Sequence, residues 1–363
     1  MAAGLLESME NSDLPTVSGI LNSGSFKGED AWETHLSLFP MVQRVLNPPY
    51  INPHLPKMYS VIRDLLPYIT DIAPLVRLEI TEYTRRPKLE PIPKPSEHHD
   101  SITVDDILTS IMEREPQRAA AFMSAFNEEN GGAEFARQML LIGSAYLDRT
   151  LGHSVSCTAF ILLEMLQRPD EDPWPATATL ADYFCKGQFH TLPDLMPESD
   201  IPEREAMLMA TAGDGIVNLH HSITRYAIER VRHLLSNKEY LHMLSSWTRW
   251  MGSKQADSVA VLRAPAATTY EEFREAVAVG DAQKAISTLV ALLPLESGPS
   301  ASNKMGHYLT SAVCDLYLGD YDPHFLNGLG SLLWIAEYYS EDPEIVAHAI
   351  GQYLRYFMNG RRT

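Results

Sequence analysis

Apolar residues recur along this chain at the spacing of helix faces, and this pattern sets the first expectation. Residues 135–147 (FARQMLLIGSAYL), 157–166 (CTAFILLEML), 223–235 (ITRYAIERVRHLL) and 331–339 (SLLWIAEYY) are too apolar for solvated helices, so they are expected in a core. Strand-like alternation bounded by Asn-Gly or Asp-Gly turns is nearly absent. Only Leu75–Tyr83 (LVRLEITEY) reads equally as strand or helix. Prolines supply the punctuation: 14 of the 24 cluster at 48–56, 87–95, 169–175 and 193–202. Residues 85–101 (RRPKLEPIPKPSEHHDS) form the clearest connector, with a Pro-x-Pro rhythm that favours polyproline II. The expectation is a mostly α protein: a single large bundle-like domain over 1–363, with 85–101 as a proline-rich internal loop.

Composition changes this picture little. The 363 residues are 45% hydrophobic and 21% charged, ordinary for a chain with a substantial core. Charge adds more. With 29 basic and 47 acidic residues the net charge is −18, which argues against nucleic acid or an anionic membrane as the main partner. The three cysteines, Cys157, Cys185 and Cys314, are too scattered for a disulfide framework and include no C-x-x-C pair. No stretch of about 18 apolar residues runs uninterrupted. A reducing, cytoplasmic location is expected.

The chemistry candidates are histidines, of which the chain has 13. A lone histidine on an apolar helix is ordinarily a buried, hydrogen-bonded core residue. Four share a context that suggests more: His35 opens HLSLFPMVQRVL, His153 opens HSVSCTAFILLEML, His221 opens HSITRYAIERVRHLL and His307 opens HYLTSAVCDLYL. Bundles build metal sites from side chains on facing helices, so these four could converge on one cavity. Neutral imidazole suits iron, zinc and copper. No zincin motif, nucleophile elbow, dinucleotide-binding turn or P-loop is present. Phe122 and Phe126 read as a core stripe or an aromatic wall. His98 and His99 read as part of a solvated loop.

In their order along the chain, these motifs resemble the questin oxidase-like family. The segments that carry the resemblance are His35 with its apolar helix, NPHLPKMY ending at Tyr59, AAAFMSAFNEENGG followed by LGHSVSCTAF, LHHSITRYAIERV, and MGHYLTSAVCDLYLGDYDPHFL. The resemblance implies a largely helical oxidoreductase of secondary metabolism. It would carry out oxygen-dependent oxidation of an anthraquinone-like aromatic polyketide, of Baeyer–Villiger or ring-opening type. It implies a non-haem iron held by His35, His153, His221 and His307, and it leaves NADPH as a candidate second cofactor. Tyr226 and Arg230 become candidates for contact with the substrate. The chain departs from the family pattern at Cys157, where a second histidine is common, and at Thr310, where a lysine is common. Other classes stay open: a helical scaffold with structural histidines, or a metal-free hydrolase or cyclase using the same cavity.

Overall fold

The computed structural model describes residues 2–23, 26–45, 51–95, 101–253, 269–292, 299–316 and 322–360. Among these residues there are nineteen α-helices and no strand; the only bridge is the isolated pair Val45 and Lys88. The protein is a mostly α, multi-helix domain with one continuous hydrophobic core. The ambiguous Leu75–Tyr83 segment is helical, inside Ala73–Arg85. It turns Leu75, Val76, Ile80 and Tyr83 inward together with Glu79 and Glu82.

The helix His153–Leu166 is the centre of the fold. Every residue from His153 to Met165 is buried, so this helix is surrounded on all sides. It packs on His54–Leu65, on Gly132–Ser144 and on Gly215–Arg230. The helix Gly215–Arg230 packs on His324–Tyr338, which packs in turn on His54–Leu65 and closes a ring of four helices. The expected core segment 223–235 straddles a boundary: its helix stops at Arg230, and Arg232–Leu234 forms a 3-10 turn.

Two glycines let the central helix sit where it does. Gly152 adopts a left-handed backbone (φ 75°) just before His153, and a Cβ there would lie 1.8 Å from Thr224 Oγ1. A Cβ on Gly143 would lie 2.4 Å from the main-chain oxygen of Ser154, so the 132–144 and 153–166 helices meet backbone to side-chain-free backbone.

The described part of the proline-rich segment is extended and tied down. Leu89 N–H donates to the Arg44 carbonyl at 2.7 Å, and Trp174 Nε1 donates to the Ile92 carbonyl at 2.8 Å. His98 and His99 lie outside the described residues. The three cysteines are free thiols, and no described helix is long and apolar enough to cross a membrane.

Candidate metal centre

The four helices of the ring all begin at one place. His54, His153 and His324 are the first residues of their helices, and His220 lies in the second turn of its own. Helix-start chemistry puts them there: Pro53, Gly152 and Pro323 immediately precede the three opening histidines. One ring nitrogen from each of the four imidazoles lies within 4.8 Å of the other three. Nε2 of His54 is 2.8 Å from Nε2 of His153, which is 2.9 Å from Nε2 of His220, which is 3.1 Å from Nε2 of His324. The His54 and His324 rings close the circle with centroids 4.8 Å apart. The imidazoles therefore follow the same cyclic order as the helices that carry them.

Tautomers decide what this circle can do. His153 Nδ1 donates to the Thr150 carbonyl at 2.7 Å, and His220 Nδ1 donates to the Ile216 carbonyl at 2.6 Å. His324 Nδ1 donates to the Asp322 carboxylate at 2.9 Å, whose other oxygen accepts from Tyr356. A carbonyl oxygen only accepts, so the proton of each of these neutral rings is on Nδ1 and its Nε2 is a bare lone pair. Three lone pairs thus face one another at contact distance, which is repulsive unless a cation lies between them. A proton is a poor candidate. Burial holds all four imidazoles below the ordinary histidine range, and for His54, His153 and His220 neighbouring imidazoles add to it. Buried Lys57 pushes in the same direction from one turn along the His54 helix. The cluster could hold a metal ion, for which neutral imidazoles with carbonyl- or carboxylate-bound outer nitrogens are the standard ligand form.

The spacing also bears on coordination. Nitrogens each about 2.1 Å from a shared ion lie about 3.0 Å apart at a right angle and about 3.4 Å apart at the tetrahedral angle. The three short separations fit right angles. An ion held that way keeps open coordination positions.

The cluster forms the floor of a cleft of about 780 Å³. Its walls include Ile51, Leu151, Phe189, Ile216 and Val217, and Arg86, Arg149 and Lys186 stand around it. Each of the four imidazoles is 3–5% exposed, enough to be reached from the cleft and otherwise dry.

The expected quartet is not the one that converges. Only His153 belongs to the cluster, and His35, His221 and His307 are corrected by their positions in the helices. His35 lies in the last turn of Glu29–Ser37, not at a helix start. It is stacked between Trp32 and Tyr59 and donates from Nδ1 to buried Glu79 at 2.9 Å. His221 faces away from its neighbour His220, with its ring edge-on to Trp250 and its carbonyl taking the Trp247 indole N–H. His307 sits in the middle of Pro299–Leu316, on the exposed face near the Tyr68 carbonyl.

Tyr226 and Arg230 do not line the cleft. Both hydrogen-bond to Asp64, deeper along the same helix pair, where burial raises the Asp64 carboxyl and Arg230 opposes that rise. Cys157 is core: it is fully buried, and burial pushes its thiol up to about 11. Thr310 is buried and does not line the cleft. Phe126 is core and Phe122 partly buried, and neither borders the cleft.

The missed residues, His54, His220 and His324, each lie inside a segment singled out by motif: NPHLPKMY, LHHSITRYAIERV and DPHFL. For His54 and His324 the available signal was a proline directly before the histidine; His220, preceded by Leu219, carried no such signal.

Comparison with known proteins returns no match: no family model, no curated protein and no solved structure aligns with this chain significantly.

Proposed function

We propose that this chain is an oxidoreductase whose four-imidazole centre holds non-haem iron, and that its cleft takes a flat aromatic substrate for oxygen-dependent oxidation. One observation carries the reading. Three bare Nε2 lone pairs, on His153, His220 and His324, face each other at 2.9–3.1 Å on the floor of an open cleft. Imidazole suits iron, zinc, copper and nickel alike, so the choice of iron rests on the right-angle spacing and the open positions it leaves. The motif-level resemblance to questin oxidase-like proteins points the same way. A redox-active ion bound there would bring dioxygen and an electron-rich ring together at one centre.

The protein's own groups do the rest. The Thr150 and Ile216 carbonyls and the Asp322 carboxylate fix the imidazoles as neutral donors. Ile51, Leu151 and Phe189 supply apolar walls against which a planar ring can lie and from which water is excluded.

The test is metal analysis of purified protein, then anaerobic reloading with Fe(II) or Zn(II). Oxygen uptake is followed with hydroxylated anthraquinones, with and without NADPH. The expected result is about one ion per chain and oxygen consumption with Fe(II) alone of the two metals. Protein that binds no metal overturns the reading. Protein that is active in hydrolysis with Zn(II) and takes up no oxygen with Fe(II) would move it to a hydrolase.

A further inference from the structure

Charge around the cleft runs against the charge of the whole molecule. The chain carries −18, yet the charged residues lining this cleft are Arg86, Arg149, Lys186 and a single carboxylate, Asp322. Asp322 is already committed, one oxygen to His324 and the other to Tyr356. Beneath the floor, Lys57 is fully buried one turn beyond His54, its amine donating only a long hydrogen bond to Ser156 Oγ at 3.4 Å. The ring helices also point their N-terminal ends, the positive ends of their dipoles, at the cluster. A positive island in an acidic protein attracts an anion locally while the surrounding surface repels anions elsewhere.

The three cations are not equivalent. Lys186 is paired with Asp182 at 2.6 Å, and Arg86 keeps a long ion pair with Glu82 at 3.9 Å. Arg149 has an exposed side chain and no ion pair among the described residues. It stands one residue before Thr150, whose carbonyl orients His153, so its backbone is fixed to the same frame as the metal centre. The opposite character is also present at the mouth. Of the seven large hydrophobic residues exposed among the described residues, three, Ile51, Ile216 and Val217, line this cleft. Such apolar exposure marks a binding surface.

We infer that the ligand of this cleft is an aromatic carboxylate, its acid group held by Arg149 with Arg86 beside it and its ring laid along Ile51, Ile216 and Val217 above the imidazoles. Guanidinium matches a carboxylate with two parallel hydrogen bonds, a geometry that a neutral amide cannot complete. This rests on the proposed function in taking the cleft as the substrate site, and it adds the substrate's charge class and the residue that reads it.

The experiment is calorimetric titration of the full chain, reloaded with Zn(II) so that no turnover occurs, using anthraquinone-2-carboxylate and anthraquinone-2-carboxamide. The carboxylate is expected to bind at least about tenfold tighter, about the margin a charge-assisted bidentate pair gives over a neutral contact. R149E should abolish that preference and leave carboxamide binding within about twofold. R149Q, a milder change, should weaken the preference in the same direction. Metal content and far-UV circular dichroism of each variant confirm that fold and centre are intact. Equal affinity for the two ligands, an undiminished preference in R149E, or binding of neither overturns the inference. The two readings fail separately. A chain that holds no metal but still prefers the carboxylate sinks the oxidoreductase reading alone. A metal-loaded chain without the preference sinks only this inference.

Discussion

Two buried histidine environments lie side by side in this fold. At His35, an imidazole is stacked between Trp32 and Tyr59 and gives its Nδ1 proton inward to Glu79, both groups being fully buried. At the four-helix ring, His153, His220 and His324 give their Nδ1 protons outward, to two carbonyls and a carboxylate, so their lone pairs meet in the middle. The residue type and the burial are the same. Both sites engage Nδ1; the difference is the direction in which that proton is given and so what the second nitrogen faces. Where the neighbour is an acid, the imidazole has a local hydrogen-bond partner and serves packing. Where the neighbours are other imidazoles, the facing lone pairs leave a place that could take a cation.

The largest test of that contrast is acid stability of the metal-free protein. His54, His153, His220 and His324 are held below the ordinary range by burial, so they stay neutral in the fold while the unfolded chain protonates near pH 6.5. Above about pH 6.5 neither state binds these protons and there is no effect. Below it the unfolded state binds more protons, so stability falls with pH, by up to about 1.4 kcal/mol per pH unit for each histidine. Four together approach about 5 kcal/mol per unit, and bound metal should suppress the loss. Urea midpoints at about pH 7.5 and pH 5.5, with and without Zn(II), measure it. A midpoint of the metal-free protein that does not move with pH would contradict the neutral cluster.

Single substitutions should separate the two sites next. His153→Ala is expected to weaken metal binding by well over about 100-fold, more than the loss of an outer-shell partner costs. His35→Ala should leave metal content unchanged and cost about 3 kcal/mol of stability, because Glu79 is left buried without its partner. Competition titration with a chelator and denaturant unfolding read the two effects, and the opposite assignment would reverse their meaning.

Asp322→Asn is a smaller change, since it weakens the acceptor for His324 Nδ1 without removing a ligand. It should lower metal affinity by about 10- to 100-fold with the fold intact. An unchanged affinity would mean that the outer tether does not matter. The smallest effect on metal binding is expected from Tyr226→Phe, which deletes a hydrogen bond to the Asp64 carboxylate outside the cleft. Stability should fall by about 1.5–3 kcal/mol with metal content constant. A loss of turnover without loss of stability would instead place Tyr226 in contact with substrate.

Much of the architecture was readable from hydrophobic periodicity. The segment 157–166 falls within one helix of the central ring and 331–339 runs one residue past the end of another, because largely buried helices leave a long apolar record. The site was half readable. That histidines at helix starts would gather in a bundle holds for His54, His153 and His324, but the starts themselves were misplaced. In the last turn of Glu29–Ser37 and the middle of Pro299–Leu316, an apolar run after a histidine imitates a beginning that lies residues earlier. The choice between His220 and His221 is a rotation of about 100° about one helix axis. Both faces of Gly215–Arg230 are buried, so no polar side marks the outside and the pattern cannot say which imidazole faces the ring. The same holds for Tyr226 and Arg230: their partner Asp64 lies 162 and 166 residues away in sequence, and only tertiary packing brings it there.

The tether on His220 comes from the main chain of Ile216, while the side chain of that residue lies at the cleft mouth, 42% exposed. Backbone and side chain at one position therefore answer to different demands. Exchanging the isoleucine for another helix-compatible residue reshapes what the mouth admits and leaves the imidazole's orientation as it was. A cleft built this way can change what it admits without disturbing the imidazoles at its floor.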